Sequence, residues 1–147
     1  MSWEIGSGVV ELPDGARLRG RSLRMSARSQ PRPDWGLYLA GRPSADTPWP
    51  GRWLRWPDFW LPLDAHDARA AFQEAHRLAV EGVRVEVACG GGIGRTGTAL
   101  ACIVQLAGVA ADDATAWVRE HYHPRAVETP WQRRYVKRFD GTGSDPL

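Results

Sequence analysis

Length, composition and charge describe an ordinary globular chain. Its 147 residues are 43% hydrophobic and 24% charged, with a net charge of +2, which fits one domain with its own buried core. No run of eighteen apolar residues occurs, so we expect no membrane span, and the weak charge gives no reason to expect a nucleic-acid partner.

The cysteine content predicts a reducing environment. The chain has two cysteines, Cys89 and Cys102, and its first eight residues lack the basic and apolar segments of a secretory signal. Such a pair is not typical of a disulfide framework, so we expect a cytoplasmic protein. Cys102 falls in an apolar helical pattern, which favours a small buried side chain; the alternative is a resolving partner for an oxidised Cys89.

Strand patterns come early in the chain and helical patterns late. The Pro13-Asp14-Gly15 turn between two short runs predicts a β-hairpin over Gly8–Arg19. The other predicted elements are, in chain order, strands at Trp35–Ala40 and Arg52–Arg55, a helix at Ala65–Glu81, a strand at Val83–Ala88, and helices at Arg95–Ala107, at Ala111–His121 and from Thr129 onward. We expect a single domain over 1–147, with a hairpin-like part over 1–34 and a flexible tail over 141–147.

Several residues are typical of helix ends. Asp64 is a suitable N-cap for the first helix and Gly82 a suitable residue just beyond its end. Thr129, Pro130 and Gln132 fit an N-cap, the first helical position and the third position of a capping box.

Six arginines lie between Arg17 and Arg32. The simpler interpretation is a solvated surface. The alternative is a patch that attracts anionic substrates.

The segment Val87–Leu100, VACGGGIGRTGTAL, joins a predicted strand to a predicted helix through a glycine-rich turn. Free backbone N–H groups and the helix dipole make such a turn an anion site, and glycines let the backbone curl around the anion. Phosphate is therefore the expected ligand.

Two nucleotide-binding interpretations of this turn fit poorly. Gly92–Gly97 matches G-x-G-x-x-G and Asp112 follows Gly92 by twenty residues, but Asp112 opens a predicted helix where a dinucleotide fold needs the end of a second strand. A nucleotide P-loop needs Gly-Lys-Ser/Thr, and the turn contains no lysine.

The cysteine at the start of the turn indicates nucleophilic catalysis. Five residues separate Cys89 from Arg95, and Thr96 follows. Inward-pointing N–H groups and a guanidinium favour the thiolate, which is a nucleophile toward phosphorus. Arg95 can hold two phosphate oxygens into the transition state, and Thr96 can donate a hydrogen bond to the sulfur.

Ala88 to Gly97, A-C-G-G-G-I-G-R-T-G, resembles the signature H-C-x-x-G-x-x-R-[ST]-G of the cysteine-dependent protein tyrosine phosphatase and dual-specificity phosphatase superfamily. The resemblance implies an α/β fold with a mostly parallel central sheet flanked by helices. One position departs, since Ala88 replaces the histidine that helps to tune the cysteine in the family. The implied phosphate-binding residues are Gly90, Gly91, Gly92, Ile93, Gly94 and Arg95.

A second match lies upstream. The family carries a catalytic aspartate on a Trp-Pro-Asp loop some thirty residues before its cysteine, and Trp56-Pro57-Asp58 precedes Cys89 at that spacing. The resemblance implies that Asp58 is the general acid for the leaving oxygen. Taken alone, an aspartate after proline is an ordinary turn residue.

A third match is weaker. Tyrosine phosphatases have a Q-T-x-x-Q segment that helps to place the hydrolytic water, and Glu128–Gln132 resembles it with Glu128 at the first position. Glu128 and Gln132 are therefore candidates for positioning water. The capping box explains Gln132 equally well.

The resemblance covers about residues 35–140 and leaves the first 34 residues unmatched. It implies a compact phosphatase, like the dual-specificity or small prokaryotic forms, that hydrolyses phosphomonoesters through a phosphocysteine without metal or other cofactor. The expected substrate is a phosphorylated protein, with phosphotyrosine or dual specificity, or a small phosphomonoester. A phosphate-binding module without turnover is the main alternative; the Trp-Pro-Asp segment disfavours a sulfurtransferase.

Overall fold

The computed structural model describes residues 2–24, 31–43 and 47–140. The elements are β1 (Val9–Glu11), β2 (Arg17–Ser22), β3 (Trp35–Ala40), β4 (Gly51–Arg55), α1 (Ala65–Val80), β5 (Val85–Cys89), α2 (Gly94–Leu106), α3 (Ala111–His121) and α4 (Pro130–Arg138). Each predicted strand and helix is present, and the proposed tail over 141–147 lies outside the described residues. That the whole chain is one domain stays a prediction.

The five strands form one sheet in the order β1-β2-β5-β3-β4. β1 and β2 pair antiparallel as the predicted hairpin, and every other pair is parallel. β5 is the central strand, and its last residue, Cys89, lies between Ser22 of β2 and Leu39 of β3. The mostly parallel central sheet is therefore confirmed. β2 runs three residues beyond the predicted end, because its pairing with β5 continues from Leu18 to Ser22.

The two faces of the sheet differ in chemistry, because alternate residues of a strand point to opposite sides. Val85, Val87 and Cys89 of β5 join the hydrophobic core, whereas Glu86, between them, does not. All four helices contribute to the same core. Its members include Leu18, Leu37, Leu39, Leu54, Phe72, Leu100, Ile103, Val118, Val136 and Phe139.

The predicted helix ends are confirmed. Asp64 Oδ1 accepts a hydrogen bond of 3.0 Å from the Asp67 backbone N–H, and Gly82 has the left-handed φ of +88° that glycine adopts easily. Thr129 and Gln132 form both hydrogen bonds of a capping box, with Pro130 as the first helical residue. No helix within the described residues is long and apolar enough to cross a membrane.

The expectation of a solvated arginine surface is wrong for Arg19 and Arg21, which are buried on β2. Glu86 Oε1 lies 2.8 Å from Arg19 Nη2 and 2.5 Å from Arg21 Nε, and Glu86 Oε2 accepts a hydrogen bond of 2.9 Å from the Tyr38 hydroxyl. Sequence analysis misses this cluster because Glu86 is 67 residues away from Arg19 along the chain. Arg28 lies outside the described residues.

The arginines keep Glu86 ionised in spite of its burial. Burial raises the pKa of Glu86, but hydrogen bonds from Arg21 and Arg19 outweigh it, so the pKa lies below the usual value. Such a carboxylate contributes stability that is fully present at pH values above the pKa of a glutamate in the unfolded chain, which is about 4.3. That contribution is lost as the pH falls through the pKa of the folded state.

We expect Glu86→Gln to lower the free energy of unfolding at pH 7 by about 3–5 kcal/mol, because it leaves two buried guanidinium groups without a counter-charge. The control is Glu11→Gln, which removes an ion pair to Arg17 whose two side chains are partly exposed and costs less than about 1 kcal/mol. Urea unfolding measures both. Equal losses of unfolding free energy in the two variants would contradict the assignment of Glu86 as the counter-charge of the buried arginines. A difference between the two variants that stays the same in acid would contradict it as well.

Candidate active site

The glycine-rich turn connects the end of β5 to the start of α2. Gly92 has a φ of +71°, and a Cβ atom there would lie 2.6 Å from the backbone N of Ser22. Glycine is therefore required both for the backbone conformation and for the contact with β2. The Gly92 N–H donates a hydrogen bond of 3.2 Å to Cys89 Sγ, so the turn curls back over the sulfur.

Arg95 lies in the first turn of α2 and is nearly buried. Its Nη1 donates a hydrogen bond of 3.1 Å to the Trp56 carbonyl oxygen, and its Nη2 lies 3.4 Å from Asp58 Oδ1. Its Nε is buried and has no hydrogen-bond partner within the described residues. The Nε–H group is therefore a donor for which the described residues supply no acceptor.

Cys89 and Arg95 line one cavity of about 170 Å³. It brings together the sequence-predicted residues Cys89, Gly91, Ile93, Gly94, Arg95, Asp58 and Glu128. Two larger cavities, of about 550 and 380 Å³, lie elsewhere in the described part of the chain. Neither has a cysteine in its lining, whereas the smaller cavity combines a cysteine with arginine and two carboxylates.

The Trp-Pro-Asp segment is fastened on both sides of Asp58. Trp56 is fully buried, and its Nε1 donates a hydrogen bond of 2.7 Å to the Trp60 carbonyl. Phe59 has a φ of +58°, and its carbonyl accepts a hydrogen bond of 2.6 Å from Trp131 Nε1. The segment therefore holds the half-exposed Asp58 against Arg95.

Glu128, and not Gln132, faces the cavity. Gln132 Oε1 accepts hydrogen bonds of 3.1 Å from the N–H groups of Glu128 and Thr129, and its Nε2 donates one of 3.0 Å to the Trp60 carbonyl. The fully buried amide is thus engaged with the backbone at both ends. The structure thus shows the capping role of Gln132, which also connects α4 to the Trp-Pro-Asp segment, while its water-positioning role stays a prediction.

The expected hydrogen bond from Thr96 to the sulfur is not present. The Thr96 side chain is buried, and its hydroxyl has no hydrogen-bond partner among the described residues. The Gly92 N–H donates to the sulfur instead. Ala88 is fully buried and precedes Cys89 in β5, so its methyl group points to the opposite face of the sheet.

Two further expectations are settled by placement. Asp112 lies in the first turn of α3, which is not the strand end that a dinucleotide-binding acid requires. Cys102 is fully buried within α2, and this burial raises its pKa well above the usual range. No group of three or more metal-ligating side chains is placed to hold a metal ion in the described ranges.

Sequence analysis did not single out four residues of the site, although Arg24 belongs to the arginine run whose alternative interpretation is an anion-attracting patch. Arg24 and Phe59 line the cavity, while Ser22 and Tyr122 contact the glycine turn through hydrogen bonds to its carbonyl groups. The sequence signal for Ser22 and Arg24 is hidden, because their place depends on the register of β2 against β5. Tyr122 is brought in by the packing of α3, which no local pattern shows.

Comparison with solved structures places the fold among phosphatases. The crystal structure of Tk-PTP in the active form matches with a TM-score of 0.70 and 21% identity over 92% of this chain and 98% of that chain. The crystal structure of the kinase associated phosphatase, with serine in place of its catalytic cysteine, matches with a TM-score of 0.66 and 12% identity over 92% of this chain and 94% of that chain. The crystal structure of PTPMT1 matches with a TM-score of 0.56 and 16% identity over 71% of this chain and 74% of that chain. No curated protein sequence matches the chain.

A family model supplies the assignment that these low identities do not. It is described as "Swiss Army Knife protein, DSP-PTPase phosphatase domain" and matches residues 61–139, more than half of the chain. That range contains Cys89, the glycine turn, Arg95 and Glu128 and begins just after Asp58. The chain therefore belongs to the Swiss Army Knife family of dual-specificity and tyrosine phosphatase-type phosphatase domains.

Proposed function

We propose that this protein is a metal-independent phosphatase that hydrolyses phosphomonoesters through a phosphocysteine intermediate. The proposed substrate class is a phosphorylated protein, with phosphotyrosine or dual specificity; a small phosphomonoester is the alternative. The observation that supports it best is one cavity in which Cys89 lies with the buried Arg95, whose Nε has no partner within the described residues. Guanidinium and backbone N–H groups would neutralise the phosphoryl charge without a metal.

In the first step, the Cys89 thiolate attacks phosphorus and forms an S–P bond while the P–O bond to the leaving group breaks. Asp58 gives its proton to the leaving oxygen. Arg95 and N–H groups of the turn, among them those of Gly91 and Ile93, hold the other three oxygens. An incoming phosphate group would compete for Arg95 with Asp58, whose side chain is 56% exposed, and so release the carboxyl for its role as acid.

In the second step, water attacks phosphorus, the S–P bond breaks and its electron pair returns to Cys89. Asp58 now accepts the proton of the water, and inorganic phosphate leaves. Glu128 is the residue we propose for positioning this water, because it lines the cavity. Its carboxylate packs so closely on Gly94 that a side chain there would overlap it.

Two features support the rival function of a phosphate-binding module without turnover. Ala88 stands where the family has histidine, and the Thr96 hydroxyl has no partner among the described residues. Both features would lower support for the sulfur in catalysis while leaving the anion site intact.

The first experiment is hydrolysis of p-nitrophenyl phosphate in the presence of EDTA. We expect turnover by the wild type and a loss of roughly three orders of magnitude or more in Cys89→Ser, because the nucleophile is removed. Cys102→Ala is the matched control and should retain the wild-type rate. A wild type that binds vanadate but releases no nitrophenol would establish the binding-module function instead.

The acid role of Asp58 predicts dependence on the leaving group. Asp58→Asn should lower kcat by about a hundredfold or more with phenyl phosphate. The loss should be smaller with p-nitrophenyl phosphate, whose leaving group needs less protonation. Asp64→Asn is the control, since asparagine also caps helices well. Equal losses on the two substrates would remove Asp58 from the role of acid.

Alkylation compares the two thiols directly. Iodoacetamide at neutral pH should modify Cys89, which lines the cavity, and spare Cys102, whose burial raises its pKa and excludes the reagent. Inorganic phosphate should slow the modification of Cys89. Peptide mass spectrometry with time measures both reactions, and modification of Cys102 first would contradict the assignment of the nucleophile.

A further inference from the structure

Three carbonyl groups of the glycine turn are held from its outer side. Each accepts one hydrogen bond from a residue beyond the turn. The Leu23 N–H donates to Cys89 O at 2.8 Å, and Ser22 Oγ donates to Gly90 O at 2.7 Å. The Tyr122 hydroxyl donates to Gly92 O.

The direction of these carbonyls determines the direction of the next N–H groups. In a planar trans peptide the C=O and the following N–H point to opposite sides, and the described residues contain no cis peptide bond. Because Gly90 O and Gly92 O turn toward Ser22 and Tyr122, the N–H groups of Gly91 and Ile93 turn the other way. Both residues line the cavity, and neither N–H has an acceptor among the described residues.

Tyr122 is built into this position. Its ring packs against Gly20 of β2 so closely that a Cβ atom there would overlap the hydroxyl, so a glycine in the strand makes room for it. Burial, and then the charge of Cys89, raise the pKa of Tyr122. The hydroxyl therefore keeps its proton at neutral pH and stays a hydrogen-bond donor.

We infer that Tyr122 and Ser22 are positioning residues that orient the N–H groups of Ile93 and Gly91 toward a bound oxyanion. The inference rests on the proposed function, because it takes a phosphoryl group as the ligand. Three consecutive glycines give the turn many accessible backbone conformations. The two outer hydroxyls select the one in which the donors already point inward, so less ordering is needed on binding.

The test uses tungstate, a tetrahedral oxyanion, as the probe and calorimetry as the measurement. Tyr122→Phe and Ser22→Ala should each raise the Kd of tungstate by about five- to tenfold, the effect of losing one hydrogen bond that preorganises the site. Tyr135→Phe is the control, because it removes another buried tyrosine hydroxyl on α4, outside the turn, and should leave the Kd unchanged.

Amide NMR of the free protein distinguishes positioning from a general loss of stability. Tyr122→Phe should broaden or shift the Ile93 signal more than the Gly91 signal, and Ser22→Ala should do the reverse. A lowered melting temperature alone would move neither signal selectively. If Tyr122→Phe fails to fold, Ser22→Ala and its effect on Gly91 decide the question.

The outcomes separate this inference from the proposed function. A wild type that binds tungstate without turnover, with both variants weakened, would support the positioning role and disprove the phosphatase activity. Wild-type tungstate affinity in Tyr122→Phe and Ser22→Ala would overturn the positioning role, whatever the turnover. A wild type that turns over p-nitrophenyl phosphate but binds no tungstate would overturn the positioning role alone, and one that does neither would overturn both.

Discussion

The site depends on one constraint: several backbone N–H groups must point at one spot without finding an acceptor inside the protein. Such groups are costly when buried, so the backbone that carries them would relax into other conformations if it were free to do so. The position of the turn prevents this. It follows the central strand of a parallel sheet, between β2 and β3, and its last residues are already the first turn of α2. Both ends are therefore fixed by the most buried elements of the fold.

The buried charges follow a consistent arrangement. On one side of the sheet, Glu86 is matched with Arg19 and Arg21 within hydrogen-bond distance, so those guanidinium groups are largely neutralised where they lie. On the other side, Arg95 meets a half-exposed carboxylate at 3.4 Å. A pair of this kind is weak in water. Compared with Arg19 and Arg21, Arg95 is therefore the arginine whose partner can be exchanged for a bound anion.

Local sequence signals predicted most of the fold and the centre of the site. The helix caps at Asp64 and Thr129, the glycine after α1 and the strand-to-helix turn at Cys89 all depend on residues within a few positions of one another. The likeness of two short motifs to a known family added Asp58. By contrast, Ser22 and Tyr122 reach the turn from 68 and 30 residues away. Their roles depend on strand register and helix packing, which the periodicity of the sequence does not indicate. Gln132 shows the opposite difficulty, since this one residue fits two sequence patterns, a capping box and a water-positioning segment, and its three side-chain hydrogen bonds show only the first.

Two carboxylates lie next to the two positive features of the cavity, which are the Arg95 guanidinium and the N-terminus of α2. Asp58 lies on the guanidinium of Arg95, and Glu128 lies against Gly94 at the N-terminus of α2, where the helix dipole favours negative charge. A phosphate dianion has more charge than either carboxylate and can engage both positive groups at once, so it would displace them together. Each carboxylate would then lie beside the phosphoryl group, at different edges of one small cavity. Under the proposed mechanism, the two carboxylates that lie against the positive groups of the cavity are also the groups that the two chemical steps require.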